Sequence, residues 1–178
     1  MKKIIFWLAL LLPLLIINTV FGINYILSSN SVDTSWGLKE IRWWGSTKYT
    51  SEWSSVVSSW NSYGIVNIAP DIASTYEDLN IADVYAANVV RSGRQWVSIW
   101  VDNIELNKWY MDGYSSVGAY TSSQKKHNIG HELGHALWLQ HHSLSWNFLE
   151  SWKRSTTSLW TQDKKDYDYL NSYIYPNQ

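Results

Sequence analysis

His131-Glu132-Leu133-Gly134-His135-Ala136-Leu137-Trp138-Leu139-Gln140-His141 is the stretch on which the reading of this chain turns. Its first five residues read HExxH, and a Ser122 or Ser123 cap upstream predicts that they lie on a helix beginning near Gln124. Residues i and i+4 sit about 40° apart around a helix and about 6 Å along it, so both imidazoles can reach one ion. Glu132, beside the first imidazole, can take a proton from a metal-bound water. Two protein ligands are too few. His141 follows His135 by six residues and is the expected third ligand, with His142 as the alternative. On an unbroken helix His142 would return to the face of His131 but about 16 Å away. The helix must therefore end near residues 138–140 and the chain must fold back. With 5 His and 6 Glu in 178 residues, HExxH arises by chance in about one such chain in two hundred.

Composition narrows the metal. Cysteine is absent, which excludes a disulfide framework, a thiolate zinc site and a cysteine nucleophile. Any metal must be held by His, Asp or Glu, and neutral imidazoles suit Zn2+. The net charge is −1, with 14 Lys+Arg against 15 Asp+Glu, so no basic face for nucleic acid is implied. Hydrophobic residues make up 46% and charged residues 16% of the chain, a globular composition long enough for one core. The 13 Trp and 12 Tyr beside 3 Phe favour large apolar bodies that each carry one polar handle.

Outward from the zinc helix, the N-terminus comes next. Met1-Lys2-Lys3 precedes an apolar run at 4–17, about 21 Å as a helix and short for a bilayer core of roughly 30 Å. The reading is a signal peptide, residues 1–22, cut after Gly22, with Val20 and Gly22 as the small residues of the cleavage site. An uncleaved anchor running to residue 27 is the alternative, and it is the sole membrane association the chain suggests. Residues 23–38 form a polar leader, and 39–178 the catalytic domain.

Within that domain, alternation predicts strands at 39–44, 65–69, 81–90 and 95–101, with a short edge segment at 106–110. Trp53, Val56, Val57 and Trp60 keep helical spacing after a Ser51 cap, and Gly64 ends that helix. A last helix at about 163–173 follows a Thr161 cap. The order of elements is that of an α+β fold, a mixed sheet with helices on one face. Trp43, Trp53, Trp60 and Trp96 are expected in the core. Trp146, Trp152 and Trp160 fall in an irregular segment, where they either line a pocket or pack beneath a loop.

The stretch from His131 to His141 resembles the HExxHxxGxxH signature of metzincin zinc endopeptidases, most closely the small bacterial matrixin-type enzymes, whose helices often read HELGHALGLxH. The Trp43 strand, the helix ending at Trp60-Asn61, Ile104-Glu105-Leu106-Asn107 and the closing helix after Thr161 are similar in order and spacing. The resemblance covers roughly 39–175, although the zinc helix alone is specific. It implies a twisted mixed β-sheet with an active-site helix and a C-terminal helix, and a protein or peptide substrate added to an edge strand. Two residues depart from the family. Trp138 stands where the family has the glycine that turns the chain. Either that turn takes a positive φ, strained by on the order of 1 kcal/mol for a bulky residue, or it moves along the chain. Leu149 stands where the family has the methionine beneath the zinc, and a leucine of similar volume can form the same floor.

The expected function is therefore that of a secreted zinc-dependent endopeptidase with Glu132 as general base. The alternatives are a catalytically decayed homologue and a secreted Trp/Tyr-rich binding module with a structural zinc. Glu150 stands close to His135 for a downstream glutamate ligand. His127 reads as a surface or supporting residue, and Asp163, Asp166 and Asp168 as a solvated helix face. Asp102, Asn103, Glu105 and Asp112 form a weak candidate set for Ca2+ that lacks any defining loop spacing.

Overall fold

Ile41 and Trp43 alternate with Arg42 and Trp44, and this period of two lays down β1 (Glu40–Ser46). In the computed structural model, which describes residues 31–141, 149, 154, 155, 157–159 and 161–173, β1 lies inside a five-stranded sheet. The remaining strands are β2 (Asn67–Pro70), β3 (Leu79–Val84), β4 (Gly93–Trp96) and β5 (Asp102–Asn107). Their order is β2-β1-β3-β5-β4. All pairings are parallel except β4 on β5, which is antiparallel and leaves β4 at an edge. The helices are α1 (Thr50–Tyr63), the single turn α2 (Lys108–Met111), α3 (Ser122–Ala136) and α4 (Thr161–Tyr173). The architecture is α+β with a mostly parallel mixed sheet.

Register decides which face is buried. Ile41 pairs with Ile68, Ile81 with Ile104, and Leu106 with Gly93, so one face gathers the buried Ile41, Ile68, Leu79, Ile81, Ile104 and Leu106. The same face carries Trp43, whose ring meets Trp53 of α1 edge-on at 5.4 Å. α1 buries Trp53, Val56 and Trp60, as their spacing predicts. Gly64 closes it in the left-handed conformation, φ 81°. α4 covers α1 through Tyr167, 5.3 Å from Trp60, and its hydroxyl accepts from the Val66 amide at 3.1 Å.

Several boundaries differ from those expected. α1 starts at Thr50 after Tyr49 rather than from a Ser51 cap. Tyr49 is buried and its hydroxyl donates to Asp112 at 3.0 Å, so tertiary anchoring sets the start. β3 stops at Val84, because the Asn107 side chain takes the following loop by Ala86 and Arg91. The alternation of Val97, Ile99 and Val101 is not a strand. Ile99 is 84% exposed, and Asp102 accepts from the Ser98 amide at 3.0 Å to turn β4 back into β5. Leu106 belongs to β5 inside the sheet, and the residues after it form α2, capped by Asn107 on the Trp109 amide. α3 is capped by Thr121 with Gln124 in a reciprocal capping box, rather than by the expected Ser122 or Ser123. The leader is docked where described: Ser31 is buried and donates to Asp102 at 2.8 Å, and Asp33 bridges Glu40. Asp163 and Asp166 are buried rather than solvated, Asp163 accepting from the Leu149 amide and Asp166 from Gln162.

The 1–22 segment, His142, Trp146, Glu150, Trp152 and Trp160 lie outside the described residues. Among the described residues no helix is long and apolar enough to cross a membrane.

Candidate metal centre

α3 places His131 and His135 one turn apart, and what happens at its end brings in the third imidazole. The Trp138 amide donates to the His135 carbonyl at 2.9 Å and the Leu139 amide to the Gly134 carbonyl at 3.0 Å. Those two bonds make a Schellman turn, whose left-handed position is normally glycine. Trp138 holds it, with φ 71°, and is the one non-glycine residue with positive φ among the described residues. The turn therefore stays in place and accepts the strain. It reverses the chain so that the Leu139 carbonyl faces His135 Nδ1 at 2.7 Å and His141 comes over the helix.

The three Nε2 atoms then converge. His131 and His141 are 2.8 Å apart, His135 and His141 3.0 Å, and His131 and His135 3.1 Å. Nδ1–H of His135 donates to Leu139, which leaves a lone pair on its Nε2. Hydrogen bonds cannot close such a triangle. Each Nε2 is either a donor or an acceptor, so at least one of the three pairs is alike. A cation that receives all three lone pairs resolves the conflict. Tetrahedral ligands with bonds of about 2.05 Å stand about 3.3 Å apart, close to what is found. Among the described residues this is the one group of three His, Cys, Asp or Glu arranged to hold a metal ion. The arrangement can hold a metal, and His141 is the third imidazole within it. Asp102, Asn103, Glu105 and Asp112 form no such group: Asp102 is tied to Ser31 and Ser98, and Asp112 to Lys48 at 2.8 Å.

Glu132 lies beside the triad, buried in the floor of a cleft of about 590 Å3. Burial pushes its carboxyl up to about 8, against the opposing pull of the Gln95 backbone amide and of Arg91. Burial pushes His135 down to about 4, aided by the neighbouring His141 and opposed by the Leu139 carbonyl. His135 is thus neutral at pH 7, the form in which imidazole binds a metal.

Contacts that no spacing rule announces complete the site. A Cβ on Gly93 would stand 2.6 Å from Glu132 Oε1 and 2.8 Å from Asn128 Nδ2, so β4 lies directly against α3 only because residue 93 is glycine. Asn128 ties the two together, accepting from Ser92 Oγ at 2.6 Å and donating to the Ser92 carbonyl at 3.3 Å. Beneath the helix, Leu149 is buried and its Cδ2 would stand 2.8 Å from a Cβ on Gly134. His127 is buried rather than at the surface, its ring 6.3 Å from that of His131, and it stands apart from the ligand group. No family model matches the chain, and no curated protein matches it.

Proposed function

We propose that the chain is a zinc-dependent endopeptidase of metzincin type, with His131, His135 and His141 as ligands and Glu132 as general base. The convergence of three Nε2 atoms beside a buried carboxyl, at the floor of an open cleft, carries this reading. Bound zinc would supply Lewis acidity toward the scissile carbonyl and lower the pKa of a water at its open position. The chain's own residues do the rest. Glu132 takes a proton on its carboxylate and delivers it to the leaving amine. The Gln95 amide holds that carboxylate in place. β4 is an edge strand along the cleft, so an extended peptide can pair with it through main-chain hydrogen bonds.

Three imidazoles with a carboxylate alongside match a catalytic zinc site, which keeps one position open, better than a structural one closed by four protein ligands. The turn at Trp138 and the buried Leu149 under Gly134 support the metzincin assignment. Export by a signal peptide at 1–22 belongs to the same proposal and rests on the apolar run 4–17.

The test is hydrolysis of a quenched-fluorophore unfolded protein by the zinc-loaded chain, beside Glu132→Gln and His135→Ala. Glu132→Gln is expected to keep one zinc and lose turnover by at least about 10³-fold. His135→Ala is expected to lose the zinc. Turnover that survives Glu132→Gln would remove the general base from the proposal. One tightly held zinc with no turnover in the unaltered chain would replace the enzyme with a decayed homologue or a binding module.

A further inference from the structure

The cleft has a charge pattern that the mechanism does not use. Arg91 and Arg94 line it and are exposed, whereas Glu132, its sole carboxylate among the described residues, is buried. The chain as a whole carries a net charge of −1. Among the described residues the ion pairs join Arg42 to Glu40, and Lys48 and Lys125 to Asp112, and none involves either cleft arginine. Glu105 is the register partner of Arg94 yet makes no ion pair with it.

Both guanidinium groups are presented from ordered backbone. The Arg91 carbonyl accepts from Asn107 Nδ2 at 3.0 Å. The next carbonyl, of Ser92, accepts from the Asn107 amide at 2.8 Å and from Asn128 Nδ2 at 3.3 Å. Asn107 and Asn128 are themselves buried, so Arg91 leaves a backbone held from two sides, immediately before the edge strand. Arg94 lies over the Trp96 ring, 5.8 Å from its centroid, which restrains the side chain while leaving its N–H donors for another partner. Arg91 precedes the bend at Ser92 and Arg94 lies within β4, and both line the same cleft beside the edge strand, where a bound chain can meet them. A guanidinium fork matches a carboxylate in two parallel hydrogen bonds.

We propose that Arg91 and Arg94 select substrates that carry a carboxylate flanking the bond to be cut, an inference that rests on the peptidase reading. The carboxylate is an Asp or Glu side chain within the peptide or the free carboxylate of its C-terminus, since both offer the fork the same two oxygens.

The test is binding of three fluorescein-labelled peptides to the zinc-loaded Glu132→Gln protein. One peptide carries glutamates and an amidated C-terminus, one carries glutamines in their place with the amide, and one carries glutamines with a free C-terminus. The variant stops turnover and removes the Glu132 charge, so an effect of Arg91 through that residue is eliminated. The carboxylate peptides are expected to bind about tenfold tighter than the neutral one at low salt, and the advantage to shrink on the order of severalfold at 0.5 M salt. Arg91→Gln and Arg94→Gln are each expected to reduce the advantage about threefold. A gain by the glutamate peptide alone assigns the side chain as the source, and a gain by the free C-terminus alone assigns the terminus. Equal binding of all three, or an advantage that survives both arginine substitutions, overturns the proposal and leaves the peptidase reading intact. Failure of every peptide to bind overturns both.

Discussion

Trp138 bears the cost of the turn that makes the site. In the left-handed region a residue with a Cβ is strained by roughly 1–2 kcal/mol relative to glycine, and Trp138 sits there at φ 71°. Its ring is partly buried and packs against the core, which offsets that strain. The two effects can be separated. Trp138→Ala removes the ring and keeps the strain, whereas Trp138→Gly removes both. Both variants are expected to be less stable than the unaltered chain in urea unfolding, with glycine about 1 kcal/mol more stable than alanine. Alanine equal to or above glycine would contradict a left-handed turn. Part of this was legible from the residues: the bulk of Trp138 raised the question of a moved turn. The answer was not legible, because it depends on packing with residues far away in the chain.

Among elements, the contact of β4 with α3 is the one the proposed chemistry depends on, and it is the one that the sequence pattern conceals. Helices declared themselves through contiguous apolar faces, such as Trp53, Val56 and Trp60 on α1, because a periodicity of 3.6 is local. The strands at β1 and β2 were legible from alternation, whereas the ends of β3, β4 and β5 are set by loop contacts that alternation does not report. β4 has four residues, and its identity comes from pairing with β5. Val97, Ile99 and Val101 mimic a strand but lie in the connection that Asp102 turns. Gly93 likewise carries no signal on its own, yet it is what lets Glu132 sit beneath the strand. Gly93→Ala would put a Cβ 2.6 Å from Glu132 Oε1 and 2.8 Å from its Cγ. The carboxylate must move, and a displacement of about 1 Å at a reacting group costs on the order of 10²-fold. The expected outcome is a fall of that size in kcat with zinc content unchanged, measured by steady-state kinetics and metal analysis. A variant that loses its metal in parallel would show instead that the substitution had disturbed the helix.

At the scale of the whole molecule, the candidate metal site and the core are separate. The buried set running from Ile41 through Ile104 and Leu133 to Tyr167 and Leu170 joins sheet, α1, α3 and α4 without using a ligand. Two of the proposed ligands come from α3 and the third from the chain just beyond it, so an ion would close only a short loop. Removing it should therefore loosen the molecule without unfolding it, unlike a small zinc domain whose fold is supplied by the metal. Binding to the native state alone at a thousand times Kd stabilises by about 4 kcal/mol. For a chain of this size each kcal/mol shifts Tm by about 2–4 °C. A chelator is thus expected to lower Tm by roughly 10 °C while far-UV circular dichroism at 25 °C stays unchanged. His141→Ala should start near the lower value and respond little to chelator. Loss of the far-UV signal on chelation would mean that the fold depends on the metal, and that the core packed around Trp60 and Tyr167 is insufficient by itself.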